Sequence, residues 1–216
     1  MAYQSIWYYT SLSDKVVDAI EEDAKTFFEN DQQLQDSRIG GGFNNGLDGD
    51  VRKGKNAWIP DTHWISGFLW HYVMKANKEN FLYDLTGIDG GNLQYTIYNE
   101  GNHYTWHQDA GISSYTNPAA PNNGQNRADP NILIQDFATE NIEQIRKLSF
   151  SLQLSEPDEY EGGQFQLLDE QNRSYIAPRQ RGTLILFDSR AMHRVRKVTK
   201  GTRKSIVGWC VGPRWR

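Results

Sequence analysis

Residues 98–109 read Tyr-Asn-Glu-Gly-Asn-His-Tyr-Thr-Trp-His-Gln-Asp. The stretch ends in a His-x-Asp pair, His107 and Asp109, separated by Gln108. Side chains two residues apart on a β-strand lie on the same face, so an extended backbone brings this imidazole and this carboxylate to one point while Gln108 faces away. The pattern therefore predicts a strand that carries two candidate metal ligands at its end.

A second histidine of interest lies far downstream. His193 stands in Ala-Met-His-Arg-Val at residues 191–195, on a strand-like segment that can supply a third ligand. Two imidazoles and one carboxylate suit ferrous iron and leave coordination positions open for substrate and oxygen. A His-x-Asp pair taken alone arises often by chance, and the alternative interpretation of His107 is a hydrogen-bonded core residue.

Arg203 indicates a ligand pocket beside these histidines. A planar and permanently charged guanidinium binds a carboxylate through two hydrogen bonds. Ser205 shares the strand face of Arg203 and can donate to the same carboxylate, while the parity with Val207 and Trp209 predicts that Arg203 points inward. The alternative is a solvated basic run, because residues 190–204 contain seven Lys or Arg.

Length and composition exclude several classes of protein. A chain of 216 residues favours one domain. The net charge of −4 argues against a nucleic-acid partner, which requires a basic surface. The single cysteine, Cys210, excludes an internal disulfide and suits a reducing compartment. With no long apolar run and no signal-peptide pattern, we expect a cytoplasmic protein without a membrane partner.

Helical spacing of apolar residues is found mainly in the first part of the chain. Residues 13–29 are predicted to form a helix with Ser13 as its N-cap. A second helix is predicted over residues 62–77, where a buried or capping role is expected for His63. A short third helix is predicted over residues 136–146.

Two segments have the composition of loops. Residues 38–56 are rich in Gly, and residues 110–127 are rich in Asn, Pro, Gly and Ser. Neither contains the Gly-Lys-Ser/Thr of a phosphate-binding loop. Both are therefore candidate lids over a bound substrate.

From residue 92 the hydrophobic period changes to two, which is typical of strands. Strands are predicted at residues 93–98, 148–154, 164–168, 183–188, 193–198 and 203–211. In 148–154, apolar residues alternate with Ser and Gln, which predicts one buried face and one polar face. Several short strands after a helical leader predict a mainly β protein with α support, either a β-barrel or a β-sandwich.

These motifs together resemble an iron(II)/2-oxoglutarate-dependent dioxygenase of the prolyl 4-hydroxylase-like branch, in its compact prokaryotic or viral form. The matching pieces are residues 98–109, Glu161-Gly162-Gly163, residues 181–187, residues 193–203 and Trp209. The resemblance implies a double-stranded β-helix (jelly-roll) core with the N-terminal helices packed on one sheet. We expect a single domain over residues 1–216, with a helical and Gly-rich support region in residues 1–91 and a catalytic β core in residues 92–212.

The resemblance also implies roles for particular residues. His107, Asp109 and His193 would hold the iron. Arg203 would bind the distal carboxylate of 2-oxoglutarate, and Tyr98 matches a tyrosine that contacts this cosubstrate.

Substrate-binding residues are implied in the same way. Tyr104 and Trp209 would face the substrate, and Arg146 matches an arginine that grips the backbone of a peptide; its alternative role is a solvated charge at the entrance of a strand. One position departs from the family, because many relatives have a tyrosine where this chain has Gln153. The second contact to the distal carboxylate then falls to Gln153 or Ser205.

The implied activity is hydroxylation of a prolyl residue in a proline-containing protein or peptide, with decarboxylation of 2-oxoglutarate to succinate and CO2. Its requirements would be Fe(II), 2-oxoglutarate and O2, with ascorbate as a stimulant. One alternative is the hydroxylation of a free amino acid or another small metabolite on the same core. Demethylation of nucleic acids is disfavoured, because Trp209 stands where that branch commonly carries a second arginine. A ligand-binding barrel without chemistry is disfavoured by the intact ligand set.

Overall fold

The computed structural model of the protein describes residues 4–9, 12–27, 35–37, 51–110, 144–169, 171–213 and 215. The helices are α1 (Asp14–Lys25) and α2 (Trp64–Ala76), followed by a π-helical turn (Asn77–Phe81) and, further on, a 3₁₀ turn (Asp89–Gly91). The strands are β1 (Ile6–Tyr9), β2 (Gln35–Asp36), β3 (Arg52–Lys53), β4 (Lys55–Pro60), β5 (Gly87–Ile88), β6 (Asn92–Asn99), β7 (His103–His107), β8 (Gln144–Gln153), β9 (Tyr160–Gly162), β10 (Phe165–Leu168), β11 (Ser174–Ile176), β12 (Leu184–Asp188), β13 (His193–Val195) and β14 (Val198–Pro213).

Within the described segments these strands form two antiparallel sheets. The larger follows the order β1-β12-β8-β14-β6-β4-β2, and β5 and β9 pair with other parts of β14. The smaller follows the order β11-β10-β13-β7-β3. From β6 to β8 and again from β12 to β14, the chain passes from the larger sheet to the smaller and back. This is the double-stranded β-helix, or jelly roll, that the resemblance implied.

Helices α1 and α2 cover one face of the larger sheet, as expected. Ile20 of α1 and Leu69 of α2 are fully buried in one core cluster with Leu148, Phe150 and Leu152 of β8. Because side chains alternate along a strand, these three leucine and phenylalanine residues share the helix-facing side of β8. The helices thus cover one face of the larger sheet, and the barrel interior is lined by other residues.

The helix starts lie within two residues of those predicted, at Asp14 for α1 and at Trp64 for α2. Ser13 is the N-cap residue of α1, although its side chain makes no capping hydrogen bond. His63 is the N-cap residue of α2, and its Nδ1 accepts a hydrogen bond from the backbone N–H of Ile65. His63 is therefore a capping residue, as expected. No helix among the described residues combines the length and apolar composition needed to cross a bilayer.

The polar face of β8 lies inside the barrel. Ser149, Ser151 and Gln153 are all buried. They lie on the opposite side of the strand from the helix-facing residues, and a second apolar cluster contains side chains from both sheets, such as Tyr98 and Phe165. The alternation correctly predicted a polar face, but the structure buries this face as well as the apolar one.

The structure contradicts two of the predicted segments within the residues that it describes. Part of the expected loop 38–56 forms β3 and the start of β4, because β3 pairs with β7 and β4 pairs with β6, strands that lie roughly thirty to fifty residues later in the chain. The end of the expected helix 136–146 belongs to β8, where Gln144–Arg146 pair with β14. Residues 38–50, 111–127 and 136–143 lie outside the described residues. The predicted strands 193–198 and 203–211 were also misplaced at their ends, because β13 stops at Val195 and β14 already begins at Val198.

Two glycines in different environments provide a test of this packing. A Cβ on Gly208 of β14 would overlap the buried Phe150 ring and lie 2.8 Å from Leu93 Cδ2, whereas a Cβ on Gly67 of α2 would meet no atom within 4 Å. Gly208→Ala should lower the free energy of unfolding by about 1–3 kcal/mol through overpacking. Gly67→Ala should raise it by roughly 0.5–1 kcal/mol, because glycine is unfavourable within a helix. Urea unfolding measures both, and shifts of the same sign would contradict the described packing.

Candidate metal centre

The three candidate ligands meet where two strands of the smaller sheet pair. His107 ends β7 and His193 begins β13, and their Cα atoms are direct partners in the register of the two strands. Asp109 follows β7 and is tied down by its backbone, because its N–H donates to the carbonyl of Ser189 at 2.9 Å. Residues separated by more than eighty positions are thereby brought together by strand pairing.

The donor atoms of these side chains lie within 4.8 Å of one another. Asp109 stands between the histidines, with Oδ1 3.8 Å from His107 Nε2 and Oδ2 3.3 Å from His193 Nε2. All three side chains are largely buried, His193 most of all. This compact group has the donor chemistry and spacing of a site for one metal ion.

Backbone contacts fix the orientation of both imidazoles. Nδ1 of His107 lies 2.8 Å from the carbonyl oxygen of Thr105, and Nδ1 of His193 lies 3.0 Å from that of Ala191. A carbonyl only accepts hydrogen bonds, so each Nδ1 carries the hydrogen. Each Nε2 is then directed towards Asp109, the arrangement that outer hydrogen bonds impose on metal-binding histidines.

The electrostatics also fit a cation. Burial and the neighbouring His193 lower the pKa of His107 to about 3, so this imidazole is neutral. Burial alone would raise the pKa of Asp109, but His193 and His107 outweigh it and hold this pKa below its usual value. For His193 burial lowers the pKa, yet the Asp109 carboxylate outweighs burial and raises it. The negative carboxylate of Asp109 and the neutral imidazole of His107 are the protonation states that a divalent ion requires of such ligands.

Aromatic rings wall the cluster. The Tyr104 ring stacks on His107 with centroids 3.5 Å apart, and the Arg52 guanidinium lies 4.7 Å from the Tyr104 centroid. The Phe187 ring lies 4.7 Å from that of His193. Burial raises the pKa of Tyr104 to about 12, so the phenol is neutral at physiological pH. These rings restrict water near the donor atoms.

Arg203 is buried in the larger sheet and points inward, as its parity predicted. Its side chain is 3% exposed, and its Cα is the direct partner of Tyr98 on β6. Nη1 donates to Ser205 Oγ at 3.3 Å, and the guanidinium lies 6.0 Å from the Tyr98 ring centroid. Among the described residues, no Asp or Glu oxygen lies within 4.0 Å of it. A buried cation without a counter-ion is costly, so this position suits an anionic ligand.

Gln153 lies beside this arginine, as the direct partner of Ser205 across β8 and β14. Its Nε2 donates to the carbonyl of Ser155 and to the hydroxyl of Tyr160, both at 3.2 Å. Sequence reasoning missed Tyr160 and its neighbour Arg179. The signal that could have found Tyr160 is its place directly before the recognised motif Glu161-Gly162-Gly163.

Arg146 is not a solvated charge. Its Nε donates to Asp89 Oδ2 at 2.6 Å, and its guanidinium lies 4.4 Å from the centroid of the Trp209 ring. Asp89 is itself buried. The structure thus brings Arg146 and Trp209 together and fixes the arginine with a carboxylate that sequence reasoning did not identify.

Two histidines and one carboxylate on a β scaffold are the ligand set of non-haem Fe(II) oxygenases. The sequence profile of the 2OG-Fe(II) oxygenase superfamily matches residues 93–211, more than half of the chain. The chain belongs to this superfamily. The metal of this superfamily is Fe(II) and its cosubstrates are 2-oxoglutarate and O2, as expected, and the cluster of His107, Asp109 and His193 has the donor set for that metal.

Curated relatives match parts of the chain. A PKHD-type hydroxylase of Xylella fastidiosa strain M12 is 29% identical over 156 residues, which cover 71% of this chain and 60% of the relative. A PKHD-type hydroxylase of Parvibaculum lavamentivorans is 42% identical over 62 residues, which cover 29% of this chain and 28% of the relative. The matched part of the chain thus spans less than two thirds of the length of either relative.

Solved structures share the fold. A Pseudomonas putida prolyl-4-hydroxylase superposes with a TM-score of 0.66 at 16% identity, covering 98% of this chain and 94% of that one. A Trichoplax adhaerens prolyl hydroxylase, in complex with a peptide fragment of the hypoxia inducible factor oxygen degradation domain, has a TM-score of 0.68 at 15% identity, with 95% and 83% covered. At these identities the likeness is one of architecture.

The cluster predicts a single site for a divalent metal. Alanine at His107, Asp109 or His193 should weaken the binding of Co(II), used as a spectroscopic probe, by more than about tenfold, since loss of a mere outer-shell partner already costs 10–100-fold. His71→Ala, an exposed histidine on α2, is the matched control and should bind as the unaltered protein does. Circular dichroism verifies the fold. Unchanged Co(II) affinity in His193→Ala would contradict the site.

Proposed function

We propose that this protein is an iron(II)/2-oxoglutarate-dependent dioxygenase that hydroxylates a prolyl residue in a protein or peptide and converts 2-oxoglutarate to succinate and CO2. His107, Asp109 and His193 are the proposed iron ligands. The observation that carries the proposal is the environment of Arg203. This cation is buried in the same barrel as the three candidate ligands, and among the described residues it has no carboxylate partner. A dicarboxylate cosubstrate needs both features.

Arg203 is proposed to bind the distal carboxylate of 2-oxoglutarate through its two-pronged guanidinium. Ser205 accepts a hydrogen bond from Arg203, so its own hydroxyl hydrogen can be donated to the same carboxylate. Tyr98, the cross-strand partner of Arg203, and Gln153, the cross-strand partner of Ser205, complete this wall of the pocket.

The protein residues bind, orient and exclude water. Bound Fe(II), together with 2-oxoglutarate, supplies the activation of O2 for attack on an unactivated C–H bond. The carbonyls of Thr105 and Ala191 keep Nε2 of each histidine directed to the metal position. The neutral phenol of Tyr104 stacks on His107. Together with Phe187 it forms an aromatic wall that keeps water from competing with the substrate.

A peptide substrate is supported by the Trichoplax adhaerens prolyl hydroxylase, which shares the fold and is in complex with a peptide fragment. Tyr104, Arg146 and Trp209 are the proposed substrate-binding residues. Asp89 accepts the hydrogen bond from Nε of Arg146. The terminal nitrogens of Arg146 can therefore donate to the backbone carbonyls of a bound peptide. Such donors help to order a flexible peptide against its entropic cost.

Removal of Arg203 tests the cosubstrate pocket. Arg203→Ala should weaken 2-oxoglutarate binding by roughly 2–4 kcal/mol, because a buried charge-assisted partner is lost. Arg203→Lys should recover part of this loss, since an ammonium keeps the positive charge but cannot form the two parallel hydrogen bonds of a guanidinium. Calorimetry measures both affinities, and Arg173→Ala, an exposed arginine paired with Asp169, is the control. Unchanged affinity in both Arg203 variants would contradict the assignment.

The function itself is tested with Fe(II), 2-oxoglutarate and a panel of proline-containing peptides. We expect a mass increase of one oxygen atom in a peptide, with one succinate formed for each hydroxylation. Arg146→Ala should impair this hydroxylation while sparing the slow uncoupled decay of 2-oxoglutarate, because Arg146 binds the peptide and not the cosubstrate. An equal loss of peptide hydroxylation and of uncoupled 2-oxoglutarate decay would contradict the assignment of Arg146 to the peptide site. Hydroxylation of free proline, with no peptide modified, would favour the small-metabolite alternative.

A further inference from the structure

The departure at Gln153 leaves open what replaces the tyrosine that many relatives carry there. Nε2 of Gln153 lies 3.2 Å from the carbonyl oxygen of Ser155 and 3.2 Å from the hydroxyl oxygen of Tyr160. Because a carbonyl only accepts, the contact with Ser155 fixes which end of the amide faces these two atoms. Both amide hydrogens are then in use. The remaining Oε1 cannot donate to a carboxylate.

The hydroxyl of Tyr160, unlike the amide of Gln153, has a hydrogen left to donate. Its hydroxyl oxygen accepts from Gln153 Nε2 at 3.2 Å and from Arg179 Nε at 3.4 Å. A hydroxyl has two lone pairs and one hydrogen, so both lone pairs are engaged and the hydrogen is left to donate. In the part of the chain that the structure describes, no acceptor takes it. Tyr160 is 3% exposed, and a buried donor without an acceptor is destabilising.

The position of this hydroxyl in the fold relates it to Arg203. Tyr160 begins β9, which pairs with β14 through Gly201, two residues before Arg203. Ser205, which accepts from Arg203, is the cross-strand partner of Gln153, which in turn donates to Tyr160. Tyr160 also belongs to the apolar cluster that contains Tyr98. The hydrogen bond from Arg203 to Ser205 and the hydrogen bond from Gln153 to Tyr160 thus start from directly paired positions of β14 and β8.

Arg179 holds the phenol in place. One terminal nitrogen, Nη2, donates to the backbone carbonyls of Tyr160 at 2.6 Å and of Pro157 at 2.9 Å. The guanidinium carbon also lies 4.3 Å from the centroid of the Tyr160 ring. Its positive charge beside the hydroxyl oxygen polarises the O–H bond and strengthens it as a donor.

We propose that Tyr160 is a cosubstrate-binding residue whose hydroxyl donates to the distal carboxylate that Arg203 holds, in place of the tyrosine absent from position 153. Gln153 and Arg179 are positioning residues, because they occupy the two lone pairs of the hydroxyl and so direct its hydrogen. This inference rests on the proposed function, since it names a residue of the same pocket.

Ligand binding without turnover tests this assignment. The protein is loaded with Mn(II) in place of iron, and calorimetry measures its affinity for 2-oxoglutarate and for 2-oxopentanoate, in which a methyl group replaces the distal carboxylate. Tyr160→Phe should weaken 2-oxoglutarate binding roughly 10- to 100-fold, the scale of one hydrogen bond to a charged group. Binding of 2-oxopentanoate should stay within about twofold of the unaltered protein, because it has no carboxylate for Tyr160 to meet.

Two further variants separate the roles. Gln153→Met keeps the Tyr160 hydroxyl and should weaken 2-oxoglutarate binding by only a few-fold. Tyr95→Phe removes a hydroxyl from a buried tyrosine on the helix-facing side of the same sheet, and it should change neither affinity. Equal losses for both ligands in Tyr160→Phe would assign Tyr160 a purely structural role and overturn the proposal. So would a larger effect of Gln153→Met than of Tyr160→Phe.

The Arg203 variant separates this inference from the proposed function. If Arg203→Ala weakens 2-oxoglutarate binding and Tyr160→Phe does not, the proposed function stands and the inference about Tyr160 is wrong. If the unaltered protein binds no 2-oxoglutarate, both are wrong. Loss of affinity in both variants, limited to the dicarboxylate ligand, supports the inference.

Discussion

The register between β7 and β13 is the constraint on which the metal centre depends. It places His107 directly opposite His193. Because strand side chains alternate between faces, a slip of one residue would turn His193 away from its partner. The backbone of Asp109 is bonded to Ser189, in the connection that leads into β13, so the third candidate ligand is tied to the same pair of strands. Strand pairing therefore brings the three candidate ligands together.

The barrel interior accounts for the second half of the proposed site. Helices α1 and α2 cover one face of the larger sheet, so the other face is free to carry polar side chains towards the smaller sheet. Arg203 is buried there without a carboxylate partner among the described residues. A cation in that position stabilises the protein only when an anion joins it. In the proposed function, binding of a dicarboxylate and stability of the fold are therefore coupled through Arg203.

Much of this arrangement could be predicted from the sequence, because it depends on local patterns. Period-two alternation located β6, β8, β12 and β14, and the resemblance assigned the candidate ligands. The short strands β3 and β4 could not be predicted, since they are held by pairing with distant strands and are separated by Gly54, one of the glycines that indicated a loop. The donor role of Tyr160 depends on which lone pairs Gln153 and Arg179 occupy, and a hydrogen-bond inventory requires coordinates.

The most direct test of the metal centre and its cosubstrate pocket is a crystal structure of the protein grown without oxygen, with Mn(II) and 2-oxoglutarate. We expect one anomalous manganese peak bounded by His107, Asp109 and His193, and a ligand whose distal carboxylate contacts Arg203. Manganese bound elsewhere in the chain, or a ligand carboxylate away from Arg203, would contradict this expectation.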